Sequence, residues 1–402
     1  MTSVTRSSGK PTYVDAQRGL VDRIIFSDEA IYQQELERIF ARCWNFMCHD
    51  SQIPNPGDFF MTFIGEDRVI VVRDNDMQPQ VLVNSCRHRG NAVCRAEEGH
   101  ATSFMCTYHG WTYDLKGALV GVPGFKEVYH EELDRENWGL IKAAKVDSYR
   151  GLIFATMDPD SPSLFDFLDA AGRQGIDGFA DQGDMQCWGG VSKYSMPANW
   201  KLAHDNNWDF YHVIITHASP KMARAEYGGP PQNPNADPNP VRAIYLSEFG
   251  HCTMADSARS LFPNVFFNSF EIEMRMPKGP GVTELWRFSF YGKEWDEEKT
   301  ARTRMRQNHH LGAAGFFGIE DGENWMDCTR GTESLVNRRY PFNYAMNLNR
   351  GQIVHEEGKP PRIDAKMTEH TQLWMYRCWD EYMAADSWAE YRANAPQALD
   401  VL

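Results

Sequence analysis

The chain has 402 residues, a hydrophobic share of 42% and a formal net charge of −14 at pH 7, values that fit an acidic globular protein. The length predicts two or three domains, and the acidic balance argues against nucleic acid as a partner, because phosphate binding needs a basic surface. The sequence lacks both the run of about 20 apolar residues that a membrane helix needs and the apolar segment of a secretory signal, so we expect a cytoplasmic protein without a membrane partner.

The N-terminal part of the chain predicts one helix followed by a β-rich domain. Residues 27–44 have helical spacing, since Tyr32 and Phe40 fall on one face, and Ser27 is the expected N-cap. The β-branched runs DRVIVVRD and QVLVNSC are separated by a turn-rich segment. They predict a small all-β domain over residues 45–158.

Beyond residue 160 the sequence mixes helical and strand patterns. FDFLDAAGRQ and residues 368–388 predict helices, and the Pro- and Gly-rich residues 228–240 predict a long loop. Apolar side chains alternate with Glu271, Glu273 and Arg275, which predicts a strand with one buried face, and ELWRFSFYGKE is its expected partner. We therefore expect an α+β fold in three segments: residues 1–44 as a helical segment packing on the C-terminal domain, residues 45–160 as the β domain, and residues 161–402 as the C-terminal domain.

Two short motifs of the predicted β domain combine cysteine with histidine: CRHRG contains Cys86 and His88, and CTYHGW contains Cys106 and His109. The nine cysteines are odd in number and scattered, which predicts thiols in a reducing compartment rather than disulfides. Zinc is one candidate for such ligands, but zinc fingers usually pair Cys with Cys and His with His along the chain. A mixed arrangement suits a two-iron, two-sulfide cluster, and the spacing C-x-H, seventeen residues, C-x-x-H is typical of the Rieske pattern.

His212 and His217 lie five residues apart in the string NWKLAHDNNWDFYHVIITH. On an ideal helix this spacing separates two side chains by about 140°, so both can face one metal only if the helix ends or bulges between them. The β-branched residues between them favour such an interruption. Two imidazoles and a carboxylate with open coordination positions form the site of non-haem Fe(II) oxygenases, although packing or hydrogen bonding is the commoner explanation of this spacing alone.

Taken with the upstream cluster motif, this region resembles the catalytic α subunits of Rieske non-haem iron aromatic-ring-hydroxylating dioxygenases. The family pattern of an Asn, an Asp, a Tyr-His pair and a second His five residues on matches Asn206, Asp209, Tyr211, His212 and His217. A motif of the form F-x-x-(D/E)-D-G-E-N matches FGIEDGENW. The motif nominates Asp321 as the third iron ligand, while other nearby carboxylates are chemically able to bind iron: Glu320, Glu323 and Asp327. Asp205 departs from the family, in which many members have Glu before the Asn.

The resemblance implies an all-β Rieske [2Fe-2S] domain and a catalytic domain in which helices cover an antiparallel sheet, as in helix-grip or START-like folds. It implies two cofactors. The first is a [2Fe-2S] cluster bound by Cys86, His88, Cys106 and His109. The second is a mononuclear Fe(II) bound by His212, His217 and Asp321.

The resemblance also implies a reaction and its partners. The expected reaction is cis-dihydroxylation of an aromatic substrate by O2 in aromatic compound catabolism. Because the sequence has no dinucleotide-binding motif, an NAD(P)H-dependent reductase, with or without a ferredoxin, must supply electrons. The family forms α3 or α3β3 rings in which electrons cross between neighbours through a bridge that corresponds here to His109, Asp209 and His212. Residues next to the ligands are the candidates for the substrate pocket: Asn207, Trp208, Phe210, Val213 and Phe316.

Two other functions fit parts of the sequence. A Rieske monooxygenase would hydroxylate a ring or demethylate a substrate, and it would place one oxygen atom of O2 in the product. An electron-transfer or binding protein would hold only the cluster, with His212 and His217 in structural roles. The labelling of the product by O2 and the iron content distinguish these alternatives.

Overall fold

The computed structural model of the chain describes residues 4–5, 10–223, 237, 239–254 and 259–399. The chain divides into two compact units, Phe40–Leu164, here called the β unit, and Met1–Ile39 together with Phe165–Leu402, here called the mixed unit. Within the described part, no helix is both long and apolar enough to cross a membrane. The predicted α+β fold class is confirmed.

Three small antiparallel sheets form the β unit. In the four-stranded sheet of this unit, the inner strand Asp67–Arg73 contains the fully buried residues Val69–Val72, whose β-branched side chains pack well on a pleated surface. The buried core of this unit extends to Cys86 and Cys106. The sheets contain, in spatial order, Pro79–Val83, Asp67–Arg73, Asp58–Ile64 and Glu98–His100; Phe104–Met105, Thr112–Tyr113 and Leu119–Gly121; and Lys145–Tyr149, Leu152–Thr156 and Asn45–His49.

A large antiparallel sheet organises the mixed unit. The long strand Thr283–Gly292 pairs with Glu271–Pro277 on one side and with both Met185–Cys187 and Ser192–Met196 on the other. From Glu271–Pro277 the sheet continues through Val265–Asn268, Arg259–Leu261, Cys252–Met254, Arg242–Leu246, Arg362–Ala365 and Gln352–Val354. Short strands at Pro11–Thr12, Val14–Asp15, Leu20–Val21 and Phe342–Asn343 lie outside this sheet, and Val4–Thr5 pairs with Pro11–Thr12.

The helices of the mixed unit confirm some predicted elements and correct others. The predicted helix 27–44 is shorter: it spans Glu29–Glu35, continues as a π-helical turn over Leu36–Phe40, and is capped by Asp28. Ser27 does not cap it, because its hydroxyl group contacts the Thr332 carbonyl oxygen instead. The helices are Glu29–Glu35, Leu164–Ala180 with a kink at Asp169, Trp200–Asp205, Ala218–Ala223, Glu297–His310, Phe316–Glu333, His370–Ala384 and Trp388–Asn394.

The prediction of one buried face for the strand Glu271–Pro277 is wrong, because all of its residues are buried. Ile272 and Met274 belong to the apolar core, and the side chains of Glu271, Glu273 and Arg275 on the other face are also shielded from solvent. Helices cover this second face: Leu285, which pairs with Arg275 across the sheet, packs among Ala203 and Trp325. The predicted loop 228–240 lies outside the described residues, apart from Asp237, Asn239 and Pro240.

Candidate active site

Two loops of matching geometry carry the cysteine and histidine motifs of the β unit. The Cys86 amide donates to the Asn91 carbonyl oxygen at 2.9 Å, and the Cys106 amide donates to the Trp111 carbonyl oxygen at 2.8 Å. In each loop a glycine amide four residues on, from Gly90 or Gly110, donates back to the cysteine carbonyl oxygen. Both glycines have φ of +75°, a conformation that other residues rarely adopt, so the C-x-H-x-G and C-x-x-H-G motifs build the same tight turn.

The two loops bring like side chains together. The rings of His88 and His109 have centroids 4.5 Å apart, and the thiols of Cys86 and Cys106 share a hydrogen bond. Burial alone would raise the pKa of Cys106, but backbone amides, Asn91 and Cys86 donate hydrogen bonds that lower it. A lowered thiol pKa favours the thiolate that binds metals.

The residues of this site fit a Rieske cluster. Nδ1 of His88 is buried without a hydrogen-bond partner among the described residues, as expected of an atom reserved for a metal. Two thiols on one side and two imidazoles on the other match a cluster in which one iron has sulfur ligands and the other has nitrogen ligands. Around the first loop, the Asn84 side chain accepts hydrogen bonds from the Val93 and Cys94 amides, a support that the sequence motif does not reveal.

His212 and His217 occupy the interruption that their spacing requires. The helix Trp200–Asp205 gives way to a 3-10 turn at Asn206–Trp208, and a second 3-10 turn covers His212–Ile214. The next α-helix begins only at Ala218, directly after His217. The chain therefore bends between the two histidines, and both imidazoles face the helix Phe316–Glu333.

Three ligand atoms form a nearly equilateral triangle. Nε2 of His212 lies 3.2 Å from Nε2 of His217, and Oδ1 of Asp321 lies 3.3 Å and 3.2 Å from these two nitrogens. Ligands on one face of an octahedron with bonds of about 2.1 Å are separated by about 3.0 Å, so the triangle has the size of a metal-binding face. These three side chains form a candidate metal-binding group among the described residues.

The charges of this triangle also suit a cation. Burial alone would raise the pKa of Asp321, but the neighbouring imidazoles of His212 and His217 lower it to about 2. Burial would lower the pKa of His212, yet Asp209 and Asp321 raise it to about 9. Oδ1 of Asp321 is buried and has no well-oriented hydrogen-bond donor among the described residues. A divalent metal ion supplies the positive charge that these atoms lack.

Two further carboxylates lie beside the imidazoles. Glu320, one of the alternative ligands considered from the sequence, does not belong to the triangle: its Oε2 lies 2.9 Å from Nδ1 of His217, and Ser219 donates to its Oε1. Oδ1 of Asp209 accepts from the amides of Tyr211 and His212 at 2.8 Å and 3.2 Å, and its Oδ2 lies 3.5 Å from Nδ1 of His212. Burial would raise the pKa of Asp209, but these interactions with His212 and the nearby amides lower it.

The other residues nominated from the sequence surround this site in different ways. The backbone carbonyl oxygen of Asn206 accepts from the Asp209 amide at 3.2 Å, and the side-chain oxygen of Asn207 accepts from Arg275 at 2.7 Å. Trp208 is buried, whereas Phe316 is 40% exposed. The ring that contacts His217 belongs to Phe317, with centroids 4.5 Å apart. Phe210 and Val213 are half-buried, and Tyr211 is exposed.

Comparisons with known proteins agree with both sites. The model of the Rieske [2Fe-2S] domain matches residues 43–142, and the model of the ring hydroxylating alpha subunit (catalytic domain) matches residues 185–385. The Biphenyl 2,3-dioxygenase subunit alpha of Rhodococcus jostii is 34% identical over 95% of this chain and 93% of its own length. The chain belongs to the family of ring-hydroxylating dioxygenase α subunits.

Two more members extend the comparison. The Biphenyl dioxygenase subunit alpha of Paraburkholderia xenovorans is 31% identical over 94% of this chain and 93% of its own length. The crystal structure of naphthalene 1,2-dioxygenase from Rhodococcus sp. bound to indole superposes with a TM-score of 0.84, at 28% identity over 92% of this chain and 95% of that one. The predicted family and its two cofactors, the Rieske [2Fe-2S] cluster and mononuclear iron, are confirmed, and the Rieske match favours the cluster over zinc. This α subunit is therefore an oxidoreductase of the Rieske dioxygenase type.

Proposed function

We propose that this chain is the terminal oxygenase component of an aromatic-ring dioxygenase system and that it forms cis-diols in aromatic compound catabolism. The triangle of His212, His217 and Asp321 supports this proposal most directly, because three protein ligands on one face leave the other coordination positions open. When bound there, Fe(II) supplies the centre at which O2 is activated, and the cluster supplies single electrons. The relatives named for biphenyl indicate an aromatic ring as the substrate.

The protein residues have separate tasks in this proposal. Cys86, His88, Cys106 and His109 hold the cluster. Glu320 accepts from Nδ1 of His217, which fixes the tautomer whose Nε2 is free for metal, and the Asp209 carboxylate lies 3.5 Å from Nδ1 of His212 and interacts with it electrostatically. The proposed domains are the N-terminal segment 1–44, the cluster domain 45–160 and the catalytic domain 161–402. The compact units begin and end at Phe40 and Leu164, which supports boundaries close to these positions.

We also propose that electrons cross between copies of the chain in an α3 or α3β3 ring. Next to His109, Met105 and Tyr108 are 57% and 58% exposed, and next to His212, Tyr211 and Ile215 are 61% and 80% exposed. Apolar side chains exposed beside both metal sites suit burial between subunits, with Asp209 joining His109 of one copy to His212 of the next. Light scattering should then give three times the chain mass of 46.1 kDa, with additional mass if a β subunit joins.

A separate NAD(P)H-dependent reductase, alone or with a ferredoxin, is the proposed electron donor. A cytoplasmic location is proposed with it, and the nine cysteines, none of which forms a disulfide, support a reducing compartment.

Labelled oxygen tests the proposed reaction. With a surrogate reductase, turnover of biphenyl or benzene under labelled O2 should place two labelled atoms in one diol product. A product with a single labelled atom would identify a monooxygenase instead. Reduction of the protein without any oxygenated product, at full iron content, would contradict both reactions.

A further inference from the structure

A row of buried charges lies on the helix-covered face of the large sheet. Nη2 of Arg287 lies 2.7 Å from Oε2 of Glu271, and Nε of Arg287 lies 3.0 Å from Oε2 of Glu273. Nη2 of Arg275 lies 2.7 Å from Oε1 of Glu273. These four residues, here called the charged row, are each between 2% and 5% exposed.

The charged row ends at the segment that carries the iron ligands. Nη2 of Arg275 donates to Oδ1 of Asn207 at 2.7 Å, and Asn207 lies two residues before Asp209. Nδ2 of Asn207 in turn donates to the Ser260 hydroxyl group on the sheet. Arg275 also interacts electrostatically with Asp321. The guanidinium group therefore links the sheet to the segment that leads to the iron ligands.

Arg275 has donors that no described residue uses. Its Nε and Nη1 atoms are buried and have no hydrogen-bond partner among the described residues. Native proteins seldom leave buried donors unpaired, since each one loses its hydrogen bonds to water. Glu273 and Asn207 together use only Nη2, so they fix the guanidinium in place without satisfying its other N–H groups.

A purely structural role does not account for this arrangement. Buried ion pairs can often be replaced by apolar side chains without loss of stability, and Leu285, which pairs with Arg275, already packs among apolar residues under the same helices. A guanidinium held rigidly with free N–H groups is instead suited to recognise an acceptor oxygen.

We propose that Arg275 binds an oxygen substituent of the aromatic substrate, so that the preferred substrates are rings bearing a carboxylate or a hydroxyl group rather than unsubstituted hydrocarbons. This inference rests on the proposed function. Arg275 selects the substituent and orients the ring by its N–H groups, while Glu273 and Asn207 position Arg275. A carboxylate and a hydroxyl group offer the same acceptor chemistry, and the experiment distinguishes them.

The test compares biphenyl and benzene with the carboxylate and hydroxyl derivatives of each ring. For every compound, kcat/KM is measured from product formed by the full enzyme system. For at least one ring, the wild type should have a higher kcat/KM for the carboxylate or hydroxyl derivative than for the unsubstituted compound. The Arg275→Met variant should lower this ratio of kcat/KM values roughly ten- to hundred-fold, as expected for the loss of a hydrogen bond from a charged donor. A larger ratio for the carboxylate identifies an anionic substituent, and a larger ratio for the hydroxyl compound identifies a neutral one.

Two controls keep the test interpretable. The double variant Glu273→Gln, Arg275→Met removes both members of one ion pair, and it replaces the single variant if the loss of the Arg275 partner of Glu273 prevents folding. The Arg275→Lys variant keeps the charge and should retain part of the preference. A wild type that favours the unsubstituted ring, or a preference unchanged in the Arg275 variants, would overturn the inference while leaving ring dihydroxylation intact. Absence of any ring oxidation would instead count against the proposed function.

Discussion

Replacement of Glu320 by Gln tests how the protein holds His217 in position. Oε2 of Glu320 lies 2.9 Å from Nδ1 of His217, whose side chain is only 4% exposed, while the side chain of Glu320 is 23% exposed. The carboxylate accepts a hydrogen bond from Nδ1–H and leaves Nε2 free for iron, whereas a Gln amide can turn its NH2 group toward the ring and favour the wrong tautomer. We therefore expect Glu320→Gln to weaken iron binding.

Loss of such an orienting partner typically costs ten- to hundred-fold in metal affinity, or about 1.4 to 2.8 kcal/mol. We expect an effect near the lower end, because the Glu320 carboxylate is partly exposed and solvent screens its interaction. The assay is competition for Fe(II) against a chelator under anaerobic conditions, which requires no turnover.

Glu323→Gln is the matched control. It removes the same charge from the same helix at an exposed position close to the site, so a general electrostatic effect would appear in both variants. Equal iron affinities of the Glu320→Gln and Glu323→Gln proteins would refute the orienting role.

Three more predictions concern charged residues. Lys201→Met should lower the free energy of unfolding by about 3 to 5 kcal/mol, because the buried Glu35 carboxylate loses its positively charged partner at 2.5 Å. Thermal melts should show recovery of stability in the double variant Glu35→Gln, Lys201→Met. Asp209→Ala should retain both metal centres and yet slow turnover, which iron analysis together with a coupled assay would detect; unchanged turnover would exclude the bridging role. Burial raises the pKa of Asp205 to about 7 despite hydrogen bonds from Tyr376 and Tyr344, so the folded protein binds an extra proton between about pH 4 and 7. This protonation stabilises the folded state fully below pH 4, and the stabilisation is lost as the pH rises through 7. Denaturant titrations should show that the free energy of unfolding depends less on pH in Asp205→Asn.

Local patterns were sufficient to predict much of the fold. The β-branched run Val69–Val72 predicted its strand, and the spacing of His212 and His217 predicted a break between them, because both patterns depend on backbone geometry over a few residues. The start of the first helix was predicted at the wrong residue, since Ser27 and Asp28 are both good caps and only a distant partner, Thr332, distinguishes them. Boundaries of this kind depend on tertiary contacts.

The environment of the site was harder to predict. Alternation of polar and apolar residues reports polarity and not burial, so Glu271, Glu273 and Arg275 were expected at a solvent-exposed face that helices in fact cover. The orienting role of Glu320 and the contact of Phe317, rather than Phe316, with His217 depend on which side of the helix Phe316–Glu333 faces the triangle. Asp321 was nominated through family resemblance alone, because spacing did not distinguish it from the neighbouring carboxylates.

Metal and sulfide analysis of the wild type and of His212→Ala tests the central claim most directly. The claim is that one chain carries a cluster and a separate mononuclear iron. The wild type should contain about three irons and about two acid-labile sulfides per chain, and His212→Ala should lose about one iron while the EPR signal of the reduced cluster persists. Zinc in place of iron, or an iron content that does not change in His212→Ala, would contradict the account.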